Sequence, residues 1–268
     1  MRAALAGVLL ALAVPGAAGA DIPPPPPPVA ATGIAPPAEA AAFARQPDIV
    51  DRFLDAVLGG PPYYNAMIMP IATDRLARIP DGTPLDYAYW NELGSDEPPI
   101  LDEIRRLTGL RPQPQLRDPD YDAAAFFAHE TVARLKPEPP PNGPALRLPF
   151  YTVADPDTLP NAACGAFAAS ANLFKPRHLA NMTIRQLESA PEPVRGRCFA
   201  LATLRAIGFG GLGEYAGGEP LPEALDPVTH LTAEEKFFLW LLYRLPIGTD
   251  REAARDAAKA ILAGLQPS

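Results

Sequence analysis

The sequence predicts a mixed α/β domain, a small mixed sheet with helices and a helical last third. Three observations predict it. Apolar residues recur at helical spacing near residues 48–58 and 98–107, and short apolar runs bounded by turn residues fill the middle of the chain. Past residue 190 the helix signals dominate, with two Thr-started capping patterns. An order of helix, strands and then helices implies mixed packing around one core.

The first residues read as an export signal. Met1-Arg2 is followed by an almost wholly apolar run from Ala3 to Val14, broken at Pro15-Gly16. Ala18-Gly19-Ala20 places small residues where a signal peptidase reads, so cleavage is expected between Ala20 and Asp21. The run falls short of the roughly 20 apolar residues that span a bilayer. Its rival reading is an uncleaved apolar anchor. No cysteine lies near the cleavage point, which disfavours a lipoprotein. After signal removal no segment reaches membrane-spanning length; the best, Phe237 to Tyr243, sits between Lys236 and Arg244. A periplasmic or secreted bacterial protein is the expectation.

Residues 21–46 are expected to be a linker. Pro23 to Pro28 favours an extended polyproline rod, and Pro36-Pro37 and an Ala run follow. Residues 47–268 are expected to form a single domain. Ile49, Val50, Phe53, Leu54, Val57 and Leu58 mark its first helix, stopped by Gly59-Gly60. Met67 to Ile71 and Leu85 to Trp90 read as short strands around an Asp81-Gly82 turn. A helix runs from Pro98 to Leu107 and ends at Gly109, with Asp102 and Glu103 expected on a solvated face. Tyr121–Ala128, Leu146–Val153, Gly165–Leu173 and Ala180–Ile184 read as strands, and the proline-rich stretch 137–144 as a loop.

In the last third, Pro191 to Ile207 carries Val194, Cys198, Leu201 and Leu204 on one face and ends at Gly208. Gly208, Gly210, Gly211 and Gly213 then read as a flexible connection, because they follow a helix and no helix N-terminus points at a ligand there. Thr232 to Glu235 is a capping box opening a helix apolar on every side. Thr249 to Glu252 is a second one, before a stripe of Ala253, Ala254, Ala257, Ala258, Ile261, Leu262 and Leu265.

The formal net charge is −8, and no basic cluster is dense enough to neutralise a phosphate backbone, which disfavours nucleic-acid partners. The two cysteines, Cys164 and Cys198, are expected to pair in an oxidising compartment. Closing a loop of about 35 residues would contribute roughly 4 kcal/mol. The rival reading is two buried thiols.

Chemistry is sparse. His129, His178 and His230 are far apart, and His129-Glu130 lacks the second histidine of a zinc-protease motif because position 133 is Ala133. His178 lies beside Lys175 and Arg177, and Asp226 and His230 flank a turn. There is no G-x-S-x-G elbow and no phosphate-binding loop of the P-loop type.

The run Cys198 to Gly208, the Gly-rich loop, Leu231-Thr232, Leu242-Tyr243 and Gly248 resembles the C-terminal half of a proteobacterial exported or lipoprotein family of unknown function with a zincin (metzincin-like) core. The resemblance covers residues 98–260. It implies a zincin-like fold in which the helix ending at Gly208 carries zinc. Counted back from that glycine, the ligand positions hold Leu201 and Arg205 and the general-base position holds Ala202; Gly211 and Thr249 stand at the third ligand and the terminal Met. Zinc needs His, Cys or carboxylate donors, and a permanent guanidinium repels it. The resemblance therefore implies a pseudoenzyme with no metal and no cofactor, with Arg205 placed to replace the metal by a salt bridge. Its expected role is binding or structural, toward an envelope protein, peptide or glycan. The alternative is a hydrolase whose carboxylates Glu214, Asp226 and Glu234 converge only in the fold.

Overall fold

Ile34 ties the N-terminal arm to the body. Its carbonyl accepts from the Arg244 guanidinium at 2.7 Å and from the Trp240 indole N–H at 3.4 Å. The computed structural model describes residues 33–65, 69–89, 98–112, 125–132, 151–152, 164–170, 174–187, 191–212 and 221–265. The expected signal segment, its Ala20–Asp21 junction, the polyproline run and the 137–144 loop lie outside these.

The expected linker boundary is corrected by this arm. Helix α1 (Ala40–Phe43) buries Ala40, and Ala44 follows it into the core. The Phe43 ring stacks on Phe237 at 5.2 Å. Alanines read as spacer residues from composition are core residues, because their small side chains let the arm lie close to the helices beneath.

Helix α2 (Ile49–Val57) forms where its apolar spacing predicts and buries Ile49, Val50, Phe53, Leu54 and Val57. Helix α3 (Pro99–Thr108) starts on proline and stops at Gly109, whose φ of 77° is open to glycine. Helix α4 (Glu192–Ile207) is buried all round from Arg197 onward rather than on one face. Helix α5 (Ala233–Leu242) opens with the expected capping box: Thr232 accepts from the Glu235 amide at 3.1 Å, and Glu235 accepts from the Thr232 amide at 2.8 Å. Helix α6 (Arg251–Ala263) is capped one residue later than expected. Asp250 accepts from the Ala253 amide at 3.0 Å, while the Thr249 hydroxyl donates to the Pro246 carbonyl at 2.7 Å.

The mixed sheet comprises β1 (Tyr63–Tyr64), β2 (Pro70–Ile71), β3 (Pro84–Tyr89), β4 (Arg111–Pro112), β5 (Ala125–Val132), β6 (Tyr151–Thr152), β7 (Cys164–Ser170) and β8 (Leu179–Leu187). Their order is β2-β1-β7-β8-β5-β3-β4, with β6 also on β7. Strands β8, β5, β3 and β4 run parallel to one another, and β7 runs antiparallel to β8. Of the strand expected at 121–128, residues 121–124 lie outside the described residues; the described strand runs on to Val132 and pairs with β8 along its last seven residues. Pairing partners, which sequence spacing does not reveal, set that register.

Helix α4 lies on β7 and β8, and Cys198 of α4 is disulfide-bonded to Cys164 of β7, with Cα atoms 5.9 Å apart. Helices α2 and α6 pack together, bridged by Asp51–Arg255 at 2.5 Å and by Asp55–Arg251. Among the described residues no helix is long and apolar enough to cross a membrane.

Candidate functional site

Helix α4 brings the positions singled out by the sequence to one end of the core. Ala202 is fully buried, and Leu201 and Arg205 nearly so. Beyond them the helix stops at Gly208, whose φ of 138° a side chain rarely adopts; a Cβ there would also lie 2.6 Å from the Ala77 carbonyl. The chain then turns straight onto the end of α2. The Gly210 amide donates to the Val57 carbonyl at 3.1 Å, and the Gly211 amide to the Ala56 carbonyl at 3.0 Å.

This corrects the flexible reading of Gly208 to Gly211. A Cβ on Gly211 would overlap the Asp55 carbonyl. These glycines permit backbone to touch backbone. Close approach between segments distant in sequence gives no local signal beyond the glycines themselves.

Arg205 closes this end. Its guanidinium donates to the carbonyls of Pro61 and Gly210, and to that of Phe209 at 3.4 Å. It also lies 4.7 Å over the Tyr63 ring. Among the described residues no carboxylate pairs with it, so the expected salt bridge is corrected: the acceptors are main-chain oxygens. The Tyr63 hydroxyl donates to the Arg205 carbonyl at 3.0 Å, and the Tyr243 hydroxyl to the Ile207 carbonyl at 3.3 Å. Two helix-end carbonyls are thereby satisfied in a dry interior. Burial pushes the Tyr63 phenol up to about 12, opposed by the Arg205 charge, and raises Tyr243 as well.

Arg205 belongs to a wider pattern. Arg78 donates to the Leu245 and Ile79 carbonyls and lies over Tyr243; Arg244 donates to Trp240 and Ile34 and lies over Trp240. Arg105 reaches the Leu85 carbonyl, and Arg197 that of His230. Each of these guanidinia donates to at least one main-chain carbonyl.

Of the alternative carboxylates, Glu214 lies outside the described residues. Asp226 accepts from the Val228 and Thr229 amides at 2.8 and 2.9 Å and from the Lys236 ammonium at 2.6 Å. The Lys236 bond above all, then the two amides, hold its carboxyl well below the usual range. Glu234 accepts from Arg52 at 2.6 Å, and burial nonetheless raises its pKa. Lys236 also faces Glu103 at 3.5 Å, and Glu103 takes two 2.7 Å bonds from Arg106, which lower its pKa. Glu103, expected on a solvated face, is thus held between α3 and α5. Beside this group Arg197 makes a twin 2.7 Å bridge to Glu235.

His230 lies at a φ of 54°, and its ring covers Gly196, so that a Cβ there would lie 2.6 Å from the ring's Cδ2 unless the ring moved. His178 is half-buried; its pKa is lowered by burial first and then by Lys175 and Arg78. His129 lies on β5, in register with Ile184. Among the described residues no group of three or more His, Cys, Asp or Glu is placed to hold a metal ion.

A surface cleft of about 450 Å³ lies between the α1–α2 connection and α6, lined by Gln46, Ile49, Val50, Asp51, Arg255 and Lys259 among others. Its lining includes none of the α4 positions that the sequence singles out. No family model matches the chain, and no curated protein or solved structure matches it.

Proposed function

We propose that this chain is an exported cell-envelope protein, zincin-like in layout and non-catalytic, with a binding or structural role toward an envelope protein, peptide or glycan. The observation that carries the reading is the state of Arg205. Its guanidinium occupies the end of α4 and spends its donors on the Pro61, Phe209 and Gly210 carbonyls, beside aliphatic Leu201 and Ala202. A cation held there repels a metal, and its neighbours offer neither donor nor base. Asp226 supports the same reading, since a carboxylate held ionised by Lys236 makes a poor general acid. The disulfide fits an oxidising compartment.

The test is made on the full chain expressed with its first 20 residues and recovered from the periplasm. N-terminal sequencing is expected to begin at Asp21. The recovered protein is expected to carry no stoichiometric zinc and to leave peptide and glycan panels intact. A bound zinc per chain, or hydrolysis abolished by a chelator, overturns the non-catalytic part; retention of Met1 in the cytoplasm overturns export.

A further inference from the structure

Helix α5 and its end present a row of Phe237, Trp240 and Arg244, spaced three and four residues apart on one helical face. The Phe237 and Trp240 rings lie nearly parallel with centroids 6.1 Å apart, and the Arg244 guanidinium lies 3.8 Å over Trp240. The N-terminal arm meets both ends of this row. Phe43 stacks on Phe237 at 5.2 Å, and nine residues earlier the Ile34 carbonyl accepts from Arg244 and from the Trp240 indole. The Ile34 side chain covers Gly109, where a Cβ would come within 2.6 Å of its Cδ1.

The arm has its own local order. The Ala40 amide donates to the Pro37 carbonyl at 3.0 Å, the Ala42 and Phe43 amides to the Glu39 carbonyl at 2.9 and 3.1 Å, and the Ala44 amide to the Ala40 carbonyl at 2.9 Å. One face, with Pro37, Ala40 and Ala44, is buried, while Glu39, Ala42 and Arg45 are exposed. These bonds travel with the arm. The sheet, the Cys164–Cys198 bond and the α2–α6 bridges all lie past residue 48 and do not need it.

The row that the arm covers is not stranded without it. Arg244 also donates to the Trp240 carbonyl and keeps its place over the indole. The indole N–H would turn from Ile34 to water, so uncovering the row leaves no buried donor unpaired. Behind the joint, the 450 Å³ cleft separates Ala44, Gln46 and Pro47 from Lys259 and Leu262 of α6, which gives the connection room to pivot.

We infer that residues 33–45 are a strap that leaves the body as a unit, pivoting at residues 46–48, and uncovers the Phe237–Trp240–Arg244 row while the rest of the fold stays closed. Docked, the strap keeps two aromatic rings and a guanidinium out of water; released, it presents them together on one face. The inference rests on the arm and α5 alone and holds whether or not the chain is exported or catalytic.

Hydrogen exchange on the full chain tests it. The Ala42, Phe43 and Ala44 amides are expected to exchange at least about tenfold faster than those in the middle of α4, because a separate unit opens below the global transition. Phe43→Ser is expected to speed the strap amides about a further tenfold and to leave α4 exchange within about twofold of wild type. In a Trp90→Phe background Trp240 is the sole tryptophan. There Phe43→Ser is expected to raise acrylamide quenching of Trp240, whose hydrogen-bonded arm contact is Ile34 rather than Phe43. Strap amides exchanging at the α4 rate, or α4 amides accelerating as much as the strap in Phe43→Ser, make the arm an integral part of the core and overturn the inference. Unchanged Trp240 quenching in Phe43→Ser overturns it too, since the two ends would then open separately.

Discussion

Tyr63 and Arg205 grip each other twice: the phenol donates to the arginine's own carbonyl at 3.0 Å, and the guanidinium lies 4.7 Å over the phenol ring. The pair ties β1 to the end of α4.

Arg205→Met is expected to lose about 2–4 kcal/mol of stability, because the Pro61 and Gly210 carbonyls are left buried without their donors. Tyr63→Phe removes only the hydroxyl bond and is expected to cost about 1 kcal/mol. Urea denaturation of both variants checks the ranking; an Arg205→Met protein as stable as wild type would show that the guanidinium does not hold this end.

Reducing the Cys164–Cys198 bond frees a loop spanning 34 positions. The double variant Cys164→Ala/Cys198→Ala is expected to be about 2–4 kcal/mol less stable than the oxidised protein. Both cysteines are fully buried, so the native protein is expected to resist mild reductant until it unfolds. Rapid reduction under native conditions would contradict this.

Asp226 makes stability depend on acid. Its folded pKa is depressed, so the unfolded chain binds its proton at higher pH than the folded chain does. The stabilisation is fully present above the unfolded value of about 3.9 and is lost as pH falls below it. Glu103, also lowered, adds in the same direction. Asp226→Asn is expected to be less stable than wild type at neutral pH and to lose less on acidification. Melting curves from neutral to acid pH read this directly; parallel losses in both proteins would remove Asp226 from the account.

Gly211 and Gly264 are expected to respond oppositely to alanine. At Gly211 a Cβ meets the Asp55 carbonyl and the α2 contact must open, costing about 2 kcal/mol or more. Gly264 has a φ of −71° and its nearest neighbour at 3.4 Å, so alanine there is expected to stabilise by about 0.5 kcal/mol through the unfolded chain. Thermal denaturation of Gly211→Ala and Gly264→Ala tests the contrast; two shifts of equal sign and size would refute it.

The sequence by itself determined what depends on neighbours along the chain. Apolar spacing located α2, α3 and α4 within a residue or two, the Thr232–Glu235 box started α5, and Gly109 and Gly208 stopped their helices. Helix formation and capping act over three or four residues, so their signals sit together in the text of the chain. Only the tertiary structure decided the rest. Arg205 against Pro61, Ile34 against Arg244, Gly211 against Asp55 and Lys236 between Asp226 and Glu103 join segments from ten to more than two hundred residues apart. An arginine reads alike in sequence whether it meets water, a carboxylate or three carbonyls. Burial against a particular backbone selects among them, and that backbone is positioned by the whole fold.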